Sequence, residues 1–283
     1  MSRMPVFIVA LVLSSLAACA SSRAPTAPPP PTPVSEVADH NHDHADDLGL
    51  QWVKHAAEYE AITRQVYRNA EAALPGFIND RSWSAMPEQS NADDLPPAVI
   101  LDVDETVVSN VDFQLTFERP FANHKLDEWS SNYQSRPIAG VKGFVDTARA
   151  QGVIVYFVTN RPCEFIAGND HPCPQKLTTI DDIREVGIDV EPEFVMLSGE
   201  QPGWDREKLV RRKQIAESHR VIMLIGDDYG DFVPCARKKV VAPCTVPATR
   251  KSRAEALETY DQYWGSGWYI LPNPMHGSWT SVR

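Results

Sequence analysis

The sequence has no surplus of positive charge and no long internal hydrophobic run. Its 283 residues include 27 Lys+Arg against 38 Asp+Glu, a formal net charge of -11. Binding to a nucleic-acid backbone depends on a surplus of Lys and Arg, so we expect no nucleic-acid partner, while a small phosphorylated substrate stays compatible with a locally positive site. Beyond the N-terminal segment there is no run of about 18 apolar residues, which predicts no internal membrane span. The 43% of hydrophobic residues is enough for a buried core.

Residues 1–18 have the pattern of a secretory signal peptide. Arg3 supplies the positive start, residues 5–13 are apolar, and small residues follow. The string LAAC at 16–19 resembles a bacterial lipobox, which predicts that Cys19 is lipidated and begins the mature protein. Residue 20 is not the Asp that signals inner-membrane retention, so the resemblance favours a lipid anchor in the outer membrane, facing the periplasm. An ordinary cleaved signal peptide, with Cys19 present by chance, is the alternative.

A segment rich in Pro, Ser and Ala separates the lipobox from the predicted domain. We interpret residues 19–47 as a disordered tether, because proline removes hydrogen-bond donors and favours extended conformations. His40, His42 and His44 are potential ligands for a transition metal. They lie in an acidic stretch without a scaffold, so we favour a solvated linker end.

Four further cysteines lie as two pairs that are close in the sequence. An even number in an exported chain indicates disulfides, and four cysteines allow three pairings. We favour Cys163–Cys173 and Cys235–Cys244, because each would close a short loop that contains proline. Each bond would stabilise the fold by about 2–3 kcal/mol in the loop-entropy description. A four-thiolate zinc site is the alternative, and the lack of any CxxC pair disfavours it.

From residue 48 onward the hydrophobic pattern predicts an α/β fold. Apolar residues recur every three or four positions over 48–74, which predicts a helix that Pro75 and Gly76 end. Short apolar runs then alternate with helical segments. The predicted core strands are 98–101, 153–158, 194–197 and 221–225, the edge strands 239–242 and 268–271, and the helices near 141–151, 175–187, 205–219 and 252–263. This alternation indicates a parallel sheet with helices on both faces, which binds ligands at the carboxyl ends of its strands.

Acidic and polar residues follow three of the predicted core strands. Asp102 and Asp104 come after the first, and residues two apart share a face if the strand continues. The full set is Asp102 and Asp104, Thr159 and Asn160 after the second strand, Lys208 in the helix before the fourth, and Asp227 and Asp231 after the fourth. Since the carboxyl ends of parallel strands meet at one sheet edge, we expect these residues to surround one site.

These residue types suit metal-assisted phosphoryl transfer. Carboxylates crowded at one point repel one another, and a hard divalent cation such as Mg²⁺ relieves the repulsion. One carboxylate can attack phosphorus to form an aspartyl-phosphate, and a second can protonate the leaving alcohol and then activate water. Hydroxyl, amide and ammonium groups can stabilise the phosphoryl oxygens.

The order DxDxT, TN, Lys and GDxxxD resembles the haloacid dehalogenase (HAD) superfamily of phosphohydrolases. The resemblance implies that Asp102 is the nucleophile and Asp104 the acid/base. It also implies that phosphate is bound by Thr159, Asn160 and Lys208, and Lys213 is the less favoured candidate for the family's lysine. The Mg²⁺ ligands that it implies are Asp102, the backbone carbonyl of Asp104, Asp227 and Asp231.

Longer motifs narrow the resemblance. LDVDETVVSN at 101–110, GDDYGDF at 226–232 and LPNPMHGSW at 271–279, together with the lipobox, are similar to the bacterial outer-membrane lipoprotein acid phosphatases, also called lipoprotein 5′-nucleotidases. This implies a Rossmann-like HAD domain over 48–283, with a small helical cap and N-terminal subdomain from about 48–80 and 107–137. It also implies a Mg²⁺-dependent acid phosphatase for nucleoside 5′-monophosphates, and leaves a homodimer open. His276 departs from the aromatic residue expected there, which affects substrate preference.

The segment 107–137 is expected to contact the leaving group. Phe113, Trp129 and Tyr133 are the residues that we assign to substrate binding, with Phe117 as a further candidate, because a base stacked on an aromatic ring gains about 1–3 kcal/mol. Core packing is the alternative for each of them. Two other functions stay open: a lipoprotein that binds a ligand such as haem on the same fold, and a phosphotransferase.

Overall fold

A parallel sheet follows the apolar runs of the sequence. The computed structural model describes residues 44–117, 119–132 and 135–282. The strands of this sheet are β1 (Pro97–Leu101), β4 (Ile154–Pro162), β5 (Val195–Ser198), β6 (Arg220–Gly226) and β7 (Trp268–Ile270). Within the described residues they pair in the order β5-β4-β1-β6-β7, all parallel. The central position of β1 places its carboxyl end between those of β4 and β6.

The two faces of the sheet are buried in two different cores. Val99 and Leu101 of β1 point into one core, and Ala98 and Ile100 point into the other. This alternation follows from the two-residue period of a strand, and it requires that both faces be covered. The predicted α/β fold with helices on both faces is therefore confirmed.

Helices supply the cover on both faces. Their bounds are α1 His44–His55, α2 Ala57–Asn79, α3 Val111–Thr116, α4 Asn123–Asn132, α5 Val141–Ala150, α6 Pro174–Glu185, α7 Leu209–Ala216 and α8 Arg250–Thr259. Tyr67 of α2 packs on Phe144 of α5 with their ring centroids 5.8 Å apart, on the first face. Leu209 and Ile215 of α7 pack on the second face. No helix in the described ranges combines the length and apolar character needed to cross a bilayer.

The segment 107–137 forms an insertion above the sheet edge. The short strands β2 (Val108–Ser109) and β3 (Arg136–Pro137) pair antiparallel at its base, and α3 and α4 lie between them in the chain. The insertion follows β1 directly, so α3 and α4 lie on the side of the sheet where β1 ends.

The predicted single helix over 48–74 is wrong at its start, its middle and its end. Helix α1 already begins at His44, within the last residues of the predicted tether, the helix breaks at Ala56, and α2 then continues past Pro75 and Gly76 to Asn79. The physical reason is tertiary. The guanidinium of Arg220 donates to the carbonyl oxygen of Phe77 at 2.9 Å, one of several such bonds at the end of α2, and these stabilise the turn after the proline.

The predicted edge strand at 239–242 is also wrong. This segment lies in a loop whose ends, Cys235 and Cys244, are joined, and Val240 is exposed. The place beside β6 is taken instead by β7, whose Trp268 is buried in the second core. Two valines that follow a pair of lysines and precede Ala242 and Pro243 bury too little surface to compete with an aromatic strand.

Candidate active site

The carboxyl ends of β1 and β6 bring three carboxylates together. Asp102 directly follows β1, Asp227 directly follows β6, and Asp231 lies in a short 3-10 turn just beyond. One oxygen from each carboxylate lies within 4.8 Å of the others. Gly226 permits this approach, because a Cβ at that position would overlap the side chain of Asp231.

Lys208 supplies the positive charge in this three-carboxylate cluster. Its ammonium contacts the carboxylate of Asp102 and lies 2.7 Å from Oδ1 of Asp231. Burial lowers the pKa of Lys208, but the two carboxylates outweigh it and hold the pKa above its ordinary value. Lys208 lies directly before the first residue of α7 rather than within a helix as predicted, and the alternative Lys213 is exposed on α7.

One lysine does not balance the negative charge of the cluster. Burial raises the pKa of Asp102 to about 7, and Asp231 and Asp104 raise it while Lys208 lowers it. Burial, followed by the charges of Asp102 and Asp231, also raises the pKa of Asp227 well above its ordinary value. Oxygen donors with excess negative charge are what a hard divalent cation prefers. The cluster therefore fits such an ion, and its three side chains are the ones that could hold it.

Asp104 lies in a different electrostatic environment. Nε and Nη2 of Arg161 are 3.0 and 2.8 Å from Oδ1 of Asp104, and Nδ2 of Asn110 is 2.7 Å from the same oxygen. Burial acts to raise the pKa of Asp104, but Arg161 and these hydrogen bonds lower it below its ordinary value. The Asp104 side chain is thus outside the three-carboxylate cluster, and only its backbone carbonyl is left for the metal role that the resemblance implies.

The strand ends before the two aspartates. β1 ends at Leu101, and a tight turn that begins at Val103 includes Glu105, whose φ is 58°. The strand therefore does not continue through Asp104, so the condition for a shared strand face is not met. The carboxylate of Asp102 contacts Lys208, and that of Asp104 contacts a different cation.

Glu105 and His276 form a pair that the sequence did not indicate. Oε2 of Glu105 lies 2.9 Å from Nε2 of His276, and Glu105 is 1% exposed. Burial lowers the pKa of His276, but Glu105, followed by Asp104, raises it above its ordinary value. The two residues are far apart in the chain, so spacing carried no signal for their pairing.

The end of β4 contributes the predicted phosphate-binding residues. Thr159 and Asn160 lie in β4 itself, although the sequence predicted that they follow the strand. Asn160 lines the cavity described below, whereas Thr159 is fully buried, with Oγ1 3.3 Å from Oδ2 of Asp104. The sequence analysis assigned no role to Arg161, which binds Asp104, although Arg161 directly follows the TN pair.

A cavity of about 480 Å³ opens at this edge of the sheet. Its wall includes Asp102, Asp104, Asn160, Lys208, Asp227 and Asp231. The insertion closes another side with Gln114, Phe121, Asn123, Leu126 and Asp127. Six of the seven residues predicted for catalysis, phosphate binding and metal binding thus face one hollow.

The aromatic residues of the insertion pack mostly on one another. Phe113 stacks on Phe117 with centroids 4.8 Å apart and lies 5.8 Å from Trp129 and 6.2 Å from Phe121. Of the described aromatic residues in this insertion, Phe121 lines the cavity, and sequence reasoning missed it. Phe113 and Trp129 do not line the cavity, and their rings pack on neighbouring aromatic side chains of the insertion. Tyr133 lies outside the described residues.

Two disulfides border the site. Cys163 and Cys173 are joined with their Cα atoms 5.0 Å apart, and Cys235 and Cys244 with theirs 5.4 Å apart. The backbone N–H of Cys235 donates to Oε2 of Glu207 at 2.9 Å. The second disulfide is therefore hydrogen-bonded to Glu207, the buried residue directly before the site lysine.

Several predictions concern residues outside the described ranges. These are the signal peptide at 1–18, the lipidated Cys19, and the tether up to residue 43 with His40 and His42. They stay predictions.

The parallel sheet, the acidic residues at its strand ends and the buried lysine define a HAD-type α/β fold and site. Residues 18–279 match the family described as HAD superfamily, subfamily IIIB (acid phosphatase), so the chain belongs to this family and is a phosphomonoesterase. Among solved structures it is similar to the class C acid phosphatase from Bacillus anthracis, with 23% identity, a TM-score of 0.63, and coverage of 83% of this chain and 86% of that one. The tungstate-bound form of that enzyme matches with the same identity and coverage and a TM-score of 0.65. At this identity the two structures establish the shared fold.

Proposed function

We propose that this acid phosphatase depends on Mg²⁺, forms an aspartyl-phosphate on Asp102 and hydrolyses nucleoside 5′-monophosphates. The observation that carries the mechanism is the position of Asp102. Its carboxylate lies at the carboxyl end of the central strand, contacts Lys208, belongs to the three-carboxylate cluster and lines the cavity. A nucleophile needs access to phosphorus and a nearby positive charge, and Asp102 has both.

The reaction takes two steps. First, an oxygen of Asp102 attacks phosphorus, the bond from phosphorus to the leaving oxygen breaks, and Asp104 gives its proton to that oxygen. Second, Asp104 takes a proton from a water molecule that attacks phosphorus, the Asp102–phosphorus bond breaks, and inorganic phosphate is released. Lys208 and the amide of Asn160 stabilise the phosphoryl oxygens in both steps. Mg²⁺ held by the cluster would supply further positive charge to offset the carboxylates and the phosphoryl group.

The pairing of Asp104 with Arg161 supports an optimum on the acid side of neutrality. A proton donor must carry its proton before the first step, and Arg161 holds the pKa of Asp104 low against the effect of burial. The protonated fraction of Asp104 therefore grows as the pH falls. Substrates with poor leaving groups depend on that proton most.

The cavity wall supports a nucleotide as substrate. Its volume lies within the range of about 300–1,000 Å³ that is usual for small-molecule sites. Phe121 offers an aromatic surface, and Gln114 and Asn123 offer amide donors and acceptors on the same side. These groups suit a heterocyclic base with polar edges better than a purely aliphatic leaving group.

The lipobox string supports a location in the outer membrane. We propose that Cys19 carries the lipid and that the domain faces the periplasm. Mass measurement of the N-terminal peptide tests this, because lipidation adds the acyl chains to Cys19, and an unmodified cysteine or a different first residue contradicts it. The homodimer stays a prediction, which light scattering of the lipid-free domain tests.

The deciding experiment compares Asp102→Asn with a matched control. Asp189→Asn makes the same chemical change at an aspartate whose side chain is 90% exposed. Phosphate release from p-nitrophenyl phosphate and from AMP is measured with Mg²⁺ and with a chelator. We expect Asp102→Asn to lose activity by about 10³-fold or more and the control to keep it. If Asp102→Asn still releases phosphate at the wild-type rate, the proposed nucleophile is wrong.

The same assay addresses the two alternative functions. A phosphotransferase would transfer the phosphoryl group to an added nucleoside, so a new nucleotide would appear in place of inorganic phosphate. A ligand-binding protein would bind haem, visible in its absorption spectrum, and would lack Mg²⁺-dependent phosphate release. We expect inorganic phosphate as the product.

A further inference from the structure

A buried arginine lies behind the phosphate-binding edge of the site. Arg211 of α7 is 0% exposed and does not line the cavity. Its guanidinium donates to Oδ1 of Asn160 at 2.8 Å, to the backbone carbonyl of Asp205 at 3.0 Å and to that of Met196 at 3.3 Å, and it also contacts the carbonyl of Thr159. One side chain therefore joins the carboxyl end of β4 and a residue within β5 to the loop that leads to the site lysine.

The chemistry of the guanidinium determines how the Asn160 amide is turned. Arginine has five N–H donors and no acceptor, so the Asn160 atom that faces it must be the oxygen. The oxygen and the NH₂ group of an amide point in different directions from one carbon. With Oδ1 on Arg211, Nδ2 is directed away from the arginine, and Asn160 is one of the residues that line the cavity.

This orientation suits an anionic substrate. A phosphoryl oxygen accepts hydrogen bonds, and an NH₂ group in the cavity wall can donate one. The opposite orientation would present an amide oxygen to the anion, which is unfavourable. The Asn160 amide by itself does not favour either orientation. The fixed N–H donor of Arg211 behind it therefore selects the orientation with the oxygen toward the arginine.

We propose that Arg211 is a positioning residue, which holds Asn160 with its NH₂ group toward the phosphoryl group of the substrate. The inference rests on the proposed phosphatase site. Arg211 also donates to the carbonyl of Asp205, three residues before Lys208, so the same guanidinium supports the two phosphate-binding sides of the cavity. Its bonds all go to neutral oxygens, and a buried cation with such partners is costly unless the geometry is fixed.

A double-mutant cycle with Asn160→Ala tests the proposal. Arg211→Lys keeps the charge but not the planar fork that reaches several oxygens at once. We expect it to weaken inhibition by inorganic phosphate and to lower kcat/KM for p-nitrophenyl phosphate by roughly tenfold to a hundredfold, the usual effect of one hydrogen bond to a charged group. In the Asn160→Ala background the same change should have an effect of about twofold or less. Arg211→Gln is measured in the same cycle, so the result does not depend on one substitution.

Arg220→Lys is the matched control for a purely structural effect. Arg220 is also a buried arginine that donates to carbonyl oxygens, those of Phe77 and Asp80, but it begins β6 at the opposite end of the sheet from the site. We expect Arg220→Lys to lower thermal stability without changing inhibition by phosphate. The positioning role is wrong if the fold-reductions in kcat/KM from the Arg211 and Asn160 substitutions simply multiply in the double mutant. It is also wrong if Arg220→Lys weakens inhibition by phosphate as much as Arg211→Lys does. Neither result touches the proposed nucleophile, which only the Asp102→Asn assay can overturn.

Discussion

Replacing Lys208 with methionine removes the ammonium that lies between two buried carboxylates and keeps most of the side-chain length. In the wild-type protein this ammonium contacts Asp102 and is 2.7 Å from Oδ1 of Asp231. Removing one partner of a buried ion pair costs about 3–5 kcal/mol, because the charge that is left behind stays desolvated. We therefore expect the free energy of unfolding of Lys208→Met to fall by about that amount at pH 8 in the absence of Mg²⁺.

The size of this loss depends on pH. The pKa of Asp102 is about 7 even with Lys208 lowering it, and without the ammonium it rises further. When a carboxyl group has a higher pKa in the folded state than in the unfolded state, the folded protein is most stable at low pH, where the group is protonated. The free energy of unfolding then falls as the pH rises through the folded-state pKa. The destabilisation of Lys208→Met should therefore be small at pH 5 and largest at about pH 8 and above. Mg²⁺ should restore part of the stability, because it also places positive charge in the cluster.

Urea unfolding and phosphate release measure the two consequences. Activity should fall by about 10²–10³-fold even with Mg²⁺, since a charged group that stabilises the phosphoryl oxygens is lost. Lys213→Met makes the same change on the exposed face of α7 and should alter stability by about 0.5 kcal/mol or less. A Lys208→Met protein that is as stable as wild type at pH 8 without Mg²⁺ would refute the electrostatic reasoning.

Three further predictions follow from the same geometry. Mg²⁺ should stabilise the wild-type protein against urea by about 2.7 kcal/mol at a hundredfold excess over its Kd. At one fixed Mg²⁺ concentration the stabilisation should be larger at pH 8 than at pH 5, because protons compete for the carboxylates. An equal stabilisation at both pH values contradicts this. Replacing both Cys235 and Cys244 with Ser should lower the free energy of unfolding by about 2–3 kcal/mol, because the disulfide that restrains the unfolded chain is lost. An unchanged urea midpoint would contradict a stabilising disulfide at this position. Arg161→Gln should raise the pKa of Asp104 and move the basic limb of the kcat–pH profile to higher pH, whereas an unmoved limb would mean that Asp104 is not the proton donor.

The sequence allowed the central sheet and most of the site to be predicted. Apolar runs at 98–101 and 221–225 coincide with β1 and β6 to within one residue at each end. Because those strands are parallel neighbours, the residues that follow them had to meet at one edge. The positions of Asp102 and Asp227 therefore required only the strands and their direction.

The partners of the charged side chains could not be predicted in the same way. Arg161 binds Asp104, and Arg211 binds Asn160, because of where a helix and a strand end in space. A hydrophobic pattern reports which face of an element is buried and carries no information on which cation reaches which oxygen. The same reason explains the miss at Pro75, where the continued helix depends on the distant Arg220.

Asp102 and Asp104 are two residues apart, yet the fold moves their pKa values in opposite directions. Burial raises both, but Arg161 reverses the effect for Asp104, whereas Lys208 is shared between Asp102 and Asp231 and cannot reverse it for Asp102. Taken alone, this order would favour Asp102 as the acid and Asp104 as the base. A divalent cation at the cluster would lower the pKa of Asp102 and leave the Arg161 pair largely unchanged. Under the proposed Mg²⁺ dependence, the metal would therefore also keep the nucleophile ionised, in addition to any part in orienting the phosphoryl group.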